Sequence, residues 1–261
     1  MRVFVLGSGS SGNSIVFEAS DGSRVIVDAG INPTLATKRL RAIGAELVGS
    51  PTLGIVVTHH HGDHIAHAEP LGRALGAPVY LHGGIESPRV RKGRAEVREY
   101  ERGAVFELGP FIIEARSIPH DAPQVALRIE ADGVAFGVCT DLGHVPQDLA
   151  ELLSRCDAAL IEANHCAVML TKGPYPERLK QRVLGYLGHL ANDQTADLAA
   201  SLAGSRLKRI WLGHLSRENN TPEKALAAVR PRARHRRRRP AARRAPRCTL
   251  VLTVAFTGRR H

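Results

Sequence analysis

Along most of the chain, short β-branched or aliphatic runs alternate with Gly, Pro and Asp punctuation. RVFVLG (2–7), SIVFEA (14–19) and RVIVDAG (24–30) are each bounded by turn chemistry, which predicts a strand meander. Further strands are predicted at GIVVT (54–58), PVYLH (78–82), VFELG with FIIEARSI (105–118), VALRIEADGVAFGVCT (125–140), AALIEA (158–163) and RIWLGH (209–214). Helical spacing appears between them. PTLATKRLRAIG (33–44) places Leu35, Leu40 and Ile43 near one period, with Pro33 at its start and Gly44 as a stop, and QTADLAASLAG (194–204) reads the same way. Many strands with interspersed helices predict an α/β layered sandwich.

GSGSSG (7–12) follows a strand and has Asp28 downstream, so it imitates a dinucleotide fingerprint. That fingerprint needs a helix N-terminus to receive the pyrophosphate. Here SIVFEA is short and β-branched and leads through DGS into another strand, so the loop is read as a hairpin connection.

At 261 residues the chain can bury a substantial core. It has no apolar run of membrane-spanning length and no signal-peptide layout, which predicts a cytoplasmic protein with no membrane partner. Its four cysteines form no CxxC pair, which argues against a zinc ribbon or disulfide scaffold and for reduced, mostly buried thiols. The net charge of +11 is a property of the tail. Twelve of the 36 Lys and Arg residues lie between Arg230 and His261, a stretch without acidic residues, so residues 1–229 carry 24 basic against 25 acidic groups. RPRARHRRRRPAARRAPR (230–247) is predicted to be a disordered basic linker, read either as a nonspecific phosphate-binding arm or as compositional drift. CTLVLTVAF (248–256) reads as one more strand.

The chemistry concentrates in THHHGDHIAH (58–67). Side chains at a strand end project with period two, so His59 and His61 fall on one side and His60 on the other. Beyond Gly62, Asp63 and His64 open a predicted helix, DHIAHAEPLGRAL, and can turn toward a second ion. Two pairs of imidazole and carboxylate ligands fit two metals with room for water, whereas a structural zinc wants a closed, usually thiolate-rich shell. His60 is read as a bystander.

This cluster resembles the HxHxDH signature of the metallo-β-lactamase fold over roughly residues 1–229. A more specific resemblance to the YycJ/WalJ-like branch rests on LGSGSSGNS (6–14), VDAG (27–30), PHDAP (119–123), TDLGHV (140–145), EANH (162–165), GPYPERLKQRV (173–183), GHLAND (188–193) and LGHLSRENNTPE (212–223). The resemblance implies an αββα sandwich with a dinuclear metal centre at the rim between the sheets. It also implies phosphodiesterase or nuclease chemistry, most specifically 5′ to 3′ exonuclease action on DNA with repair roles. One ion would be held by His59, His61, His120 and Asp141, the other by Asp63, His64, Asp141 and His214. The chain departs from the branch at His67, where glycine is usual, at Cys166, where aspartate is usual, and in its Arg-rich segment. The implied domains are a catalytic body (1–229), a basic linker (230–247) and a C-terminal strand and tail (248–261).

A hydroxide bridging two divalent ions suits phosphodiester hydrolysis, with zinc, manganese or iron all compatible with the ligands. Asp63 and Asp141 would serve catalysis as well as metal binding, and His144, His165 and His189 are candidates for supporting or leaving-group roles. Lys172, Arg178, Lys180, Ser216, Asn219 and Asn220 are candidate substrate contacts. Other readings of the same fold are a thioester or small-molecule phosphodiester hydrolase, a tRNA-processing nuclease, and a signalling or interaction scaffold.

Overall fold

The computed structural model describes residues 1–47, 49–235 and 251–254. The strands of these residues form two mixed sheets, of six and seven strands, with helices interspersed along the chain, so the α/β expectation holds. The chain divides into two compact units, one of Met1–Ser117 and Ala122–Val134, the other of Ile118–Asp121 and Ala135–Ala255.

The first unit opens with β1 (Arg2–Gly7), β2 (Ser14–Glu18) and β3 (Arg24–Val27), an antiparallel meander. GSGSSG is the β1–β2 hairpin connection, as its sequence context requires. There follow α1 (Pro33–Arg41), β4 (Thr52–Val56), α2 (Gly62–Ile65), α3 (Ala68–Leu75), β5 (Val79–His82), α4 (Pro88–Arg91) and β6 (Val97–Tyr100), with β3 to β6 parallel neighbours. β7 (Val105–Leu108), β8 (Phe111–Ile118) and β9 (Gln124–Ala131) come next, β7 and β8 pairing antiparallel. Asp132 and Gly133 follow β9, both with positive φ, the pair a tight β-hairpin demands. Val16, Ile26, Leu40, Ile55, Leu71, Val79 and Leu81 belong to one buried cluster that fixes β2 to β5 against α1 and α3. The parallel strands aim their carboxyl ends the same way, and in open α/β sheets ligands bind beyond those ends.

Two expectations are corrected here. In α1 the buried positions are Ala36 and Leu40, one turn apart, while Leu35 and Ile43 are exposed. The predicted helix DHIAHAEPLGRAL is two helices broken at Ala66 and His67. The loop after β3 causes the break: Ala29 N donates to the His64 carbonyl (2.7 Å), and His67 N donates to the Ala29 carbonyl (2.8 Å) instead of continuing the helical ladder. β6 went unpredicted because two of its four residues, Arg98 and Glu99, are exposed and charged.

The second unit carries β10 (Val134–Cys139), α5 (Gln147–Ser154), β11 (Ala158–Glu162), α6 (Ala167–Lys172), α7 (Glu177–Leu184), α8 (Asn192–Ser201), β12 (Arg209–Gly213), α9 (Pro222–His235) and β13 (Val251–Val254). β10, β11, β12 and β13 are successive parallel neighbours, with Leu160 opposite Trp211 and Trp211 opposite Thr253. Helix α9 runs past residue 229 to His235, and β13 lies within the predicted CTLVLTVAF strand. The remainder of the 230–247 linker and Cys248 lie outside the described residues. Cys139 and Cys156 are buried free thiols and Cys166 is partly buried. Among the described residues, no helix is long and apolar enough to cross a membrane.

Candidate functional site

In the first unit, β4 delivers the HHHGDH loop, and its last residues are held in place from several sides. Tyr100 Oη donates to the Val57 carbonyl (2.7 Å), and His82 Nε2 bonds the Thr58 carbonyl (3.1 Å). Asp28, immediately after β3, accepts from Thr58 N (2.8 Å), from Thr58 Oγ1 and from His64 Nδ1 (2.7 Å). That last bond fixes the ring of His64, which is fully buried. Asp28 adopts a left-handed backbone (φ 59°), a strained state that aspartate tolerates better than most residues. The His59 ring lies 4.7 Å from that of His61 and 4.1 Å from that of His64. Asp63, in the first turn of α2, adds a carboxylate 3.7 Å from His64 Nε2.

The Gly/Ser loop that imitates a nucleotide fingerprint supports this cluster from beneath. Asn13 N donates to the Asp63 carbonyl (2.7 Å), while its side-chain Nδ2 lies 2.8 Å from His64 Nε2 and 3.3 Å from Asp63 Oδ2. A Cβ at Gly30 would sit 1.6 Å from the Asp63 carbonyl oxygen, so only glycine lets the VDAG turn approach the ligand loop.

In the second unit, the ends of β10, β11 and β12 converge. Asp141, Glu162, His189 and His214 each bring a ligand atom within 4.8 Å of the others. Their centre is Glu162, fully buried, which accepts from His214 Nδ1 (2.7 Å), His189 Nδ1 (2.9 Å), Leu190 N (3.0 Å) and Leu142 N (3.2 Å). Burial opposes the charge on Glu162, but the two histidines outweigh it and hold its pKa well below the usual carboxylate range. His189 responds in kind: burial disfavours its cation, yet the charge and hydrogen bond of Glu162 and the charge of Asp141 raise its pKa. With Nδ1 of each ring turned to Glu162, Nε2 is the ring atom that His189 and His214 would offer to a further partner. Asp141 (φ 58°) and His214 (φ 52°) both sit in the left-handed region just past strand ends, so the backbone strain falls on the site.

His120 follows β8, with Nδ1 bonded to the Gly188 carbonyl (3.3 Å) and Nε2 3.1 Å from Asp121, and burial lowers its pKa. Burial pushes the Cys139 thiol well up, with Glu162 and Asp141 adding to the effect, so no thiolate competes here. The donors are imidazole and carboxylate, a set that fits zinc, manganese or iron.

The remaining candidates are spread out. His165 is buried, neither ring nitrogen has a hydrogen-bond partner among the described residues, and burial pulls its pKa down to about 4. His144 stacks on Tyr186. Lys172 and Arg178 are exposed, and Lys180 Nζ bonds the Thr171 carbonyl (2.8 Å). Ser216 Oγ accepts from Asn219 N (3.1 Å). Asn220 is buried and its amide is committed to the Ala163 carbonyl (2.8 Å) and to a reciprocal pair with Asn192 (2.8 and 2.9 Å), behind His214. No metal-competent group among the described residues includes His60 or His67. Asp28, Glu162 and Asn13 were the residues that sequence reasoning did not assign. The available signal was an acidic residue closing a wholly apolar strand, in VIVD and in ALIE.

The beta-lactamase superfamily domain matches residues 23–214 of this chain. Exodeoxyribonuclease WalJ of Streptococcus pneumoniae serotype 2 (strain D39 / NCTC 7466) is 37% identical over 231 residues, covering 85% of this chain and 84% of that protein. Exodeoxyribonuclease YycJ of Bacillus anthracis is 30% identical over 230 residues, covering 86% of each. Among solved structures, Zn(2+)-bound PqqB from Methylobacterium extorquens superposes with a TM-score of 0.70 over 99% of this chain and 98% of that one, at 18% identity, which speaks to the fold. The chain therefore belongs to the beta-lactamase superfamily, as a metallo-β-lactamase-fold hydrolase of the WalJ/YycJ branch.

Proposed function

We propose that this protein is a metal-dependent exodeoxyribonuclease whose two ligand sets act together on two divalent ions. The observation that carries the reading is the repeated brace, in which a buried strand-end carboxylate orients the imidazoles of each set, Asp28 for His64 and Glu162 for His189 and His214. Such outer-shell carboxylates are characteristic partners of metal-bound histidine. The names of the WalJ and YycJ relatives support the DNA substrate.

One ion would be held by His59, His61, His120 and Asp141, and the other by Asp63, His64, Asp141 and His214. When bound, the pair supplies Lewis-acid polarisation of a phosphoryl oxygen and an acidified water. The chain's own residues do the rest. Glu162 holds Nδ1 of both rings, so that Nε2 of His214 would be left for the ion and Nε2 of His189 for a bound group. Asp141, held in a left-handed turn, would supply the carboxylate shared by both ions. His165, held neutral near pH 7 by burial, could accept a hydrogen bond from a bound group through a ring nitrogen that has no hydrogen-bond partner among the described residues. The Arg-rich segment adds nonspecific phosphate affinity.

The test is digestion of end-labelled single- and double-stranded DNA and RNA by chelated protein, with zinc, manganese or iron restored in turn. Stepwise shortening of DNA from an end, restored by metal, is the expected result. Intact nucleic acid alongside cleavage of a thioester substrate would overturn the reading.

A further inference from the structure

Tyr186, between α7 and α8, is 72% exposed. One face of its ring lies on the His144 imidazole, with centroids 3.7 Å apart and planes 27° from parallel. His144 Nδ1 is also within 3.1 Å of the Tyr186 carbonyl oxygen, which ties the imidazole to the residue it stacks on. The loops carrying the two rings are pressed backbone to backbone. A Cβ at Gly143 would lie 2.1 Å from the Tyr186 carbonyl oxygen and 2.6 Å from Gly188 N, and one at Gly188 would lie 2.2 Å from the Val183 carbonyl oxygen. The stack is therefore preorganised, with little ordering entropy left to lose when a third ring is added.

Its position follows from the chain itself. His144 is three residues from Asp141, and Tyr186 is three residues from His189, both members of the ligand cluster. Three residues span at most about 10 Å, so two independent chain paths keep the stack within a nucleotide or two of the cluster. Leu184 and Leu187 beside it are 53% and 46% exposed. α6 and α7 carry Lys172, Arg178 and Lys180 against the acidic Glu177, while Arg182 is paired with Asp121 (2.6 and 2.7 Å), in a body that is otherwise close to neutral.

We propose that the Tyr186–His144 stack is a base-stacking shelf for single-stranded nucleic acid. The nucleobase beside the scissile phosphate lies on the exposed face of Tyr186, and the basic side chains of α6 and α7 follow the phosphate backbone. Every base has a π-face, so the shelf holds the strand without reading its sequence. The proposal rests on the nuclease reading and adds which residues receive the substrate's base.

The test measures binding of the full-length protein to an oligothymidylate with phosphorothioate linkages, and to the same oligomer with an abasic residue at one end or the other, by fluorescence anisotropy. Tyr186→Ala weakens binding of the intact oligomer by about 10-fold, and Tyr186→Trp retains it. An abasic residue at the bound end penalises the wild type by a similar factor and adds no further loss to Tyr186→Ala. Wild-type affinity in Tyr186→Ala, equal losses for intact and abasic oligomers, or no binding by the wild type would each overturn the shelf. So would sedimentation showing that the wild type self-associates and Tyr186→Ala does not, since a second copy would then cover the ring. Absence of DNA digestion in the assay above removes the nuclease reading, whereas digestion with Tyr186-independent binding removes the shelf alone.

Discussion

The two candidate ligand sets are organised at different ranges. In the first unit the candidate ligands are nearly contiguous, His59 to His64, and the brace is one carboxylate to one imidazole, with Asp28 dividing its other contacts between the amide and hydroxyl of Thr58. In the second unit the candidate ligands are scattered from His120 to His214, and a single carboxylate, Glu162, serves two imidazoles and two backbone amides. A set assembled by the fold thus concentrates its order in one residue, whereas a set assembled by a local motif spreads it over several.

Replacing the two carboxylates tests this asymmetry most severely. Glu162→Ala leaves two imidazole donors and two buried amides without their acceptor, so hydrolysis and metal affinity should fall roughly 100-fold or more; Asp28→Asn, which loosens one imidazole, should cost about 10-fold to 100-fold. Metal titration and phosphodiester turnover of both variants measure the difference, and equal losses would remove the distinction.

Within the contiguous set, strand phase sharpens the comparison. His61→Ala should abolish hydrolysis and lower metal content, while His60→Ala, at a half-buried residue outside every metal-competent group among the described residues, should stay within about two-fold of wild type. Loss of metal in His60→Ala but not in His61→Ala would reverse the assignment of the two faces.

A smaller effect is expected from the support beneath that loop. Burial pulls the pKa of His82 from 6.5 down to about 4, against the hydrogen bond to the Thr58 carbonyl, which favours the cation. Because the folded pKa lies below the unfolded one, the stability contributed by neutral His82 is fully present above about pH 6.5 and is lost as pH falls toward 4. Across that window the wild type should lose up to roughly 3 kcal/mol more than His82→Gln. Parallel pH dependences in thermal melts of the two proteins would contradict this role.

The same contrast explains what could be read from the chain. β1 matches RVFVLG residue for residue, and the β1–β2 hairpin follows from SIVFEA, because strand runs and turn residues are local signals. The HHHGDH cluster was legible as a candidate site for the same reason. Asp28 and Glu162 were not, since their partners lie 36 residues away for His64 and 27 and 52 residues away for His189 and His214. Asn13 was hidden in a loop whose glycines advertised a different chemistry, and its link to His64 spans 51 residues. The break between α2 and α3 was invisible because Ala29, a residue of another loop, takes over the backbone bonds at His64 and His67.

The central claim is that the two sets act on two ions through the shared Asp141. Elemental analysis of the metal-reconstituted protein tests it most directly, with wild type and Asp141→Ala compared at matched protein concentration. The account predicts two equivalents of divalent metal per chain in the wild type and less than one in Asp141→Ala. A single equivalent that survives the loss of Asp141 would contradict it.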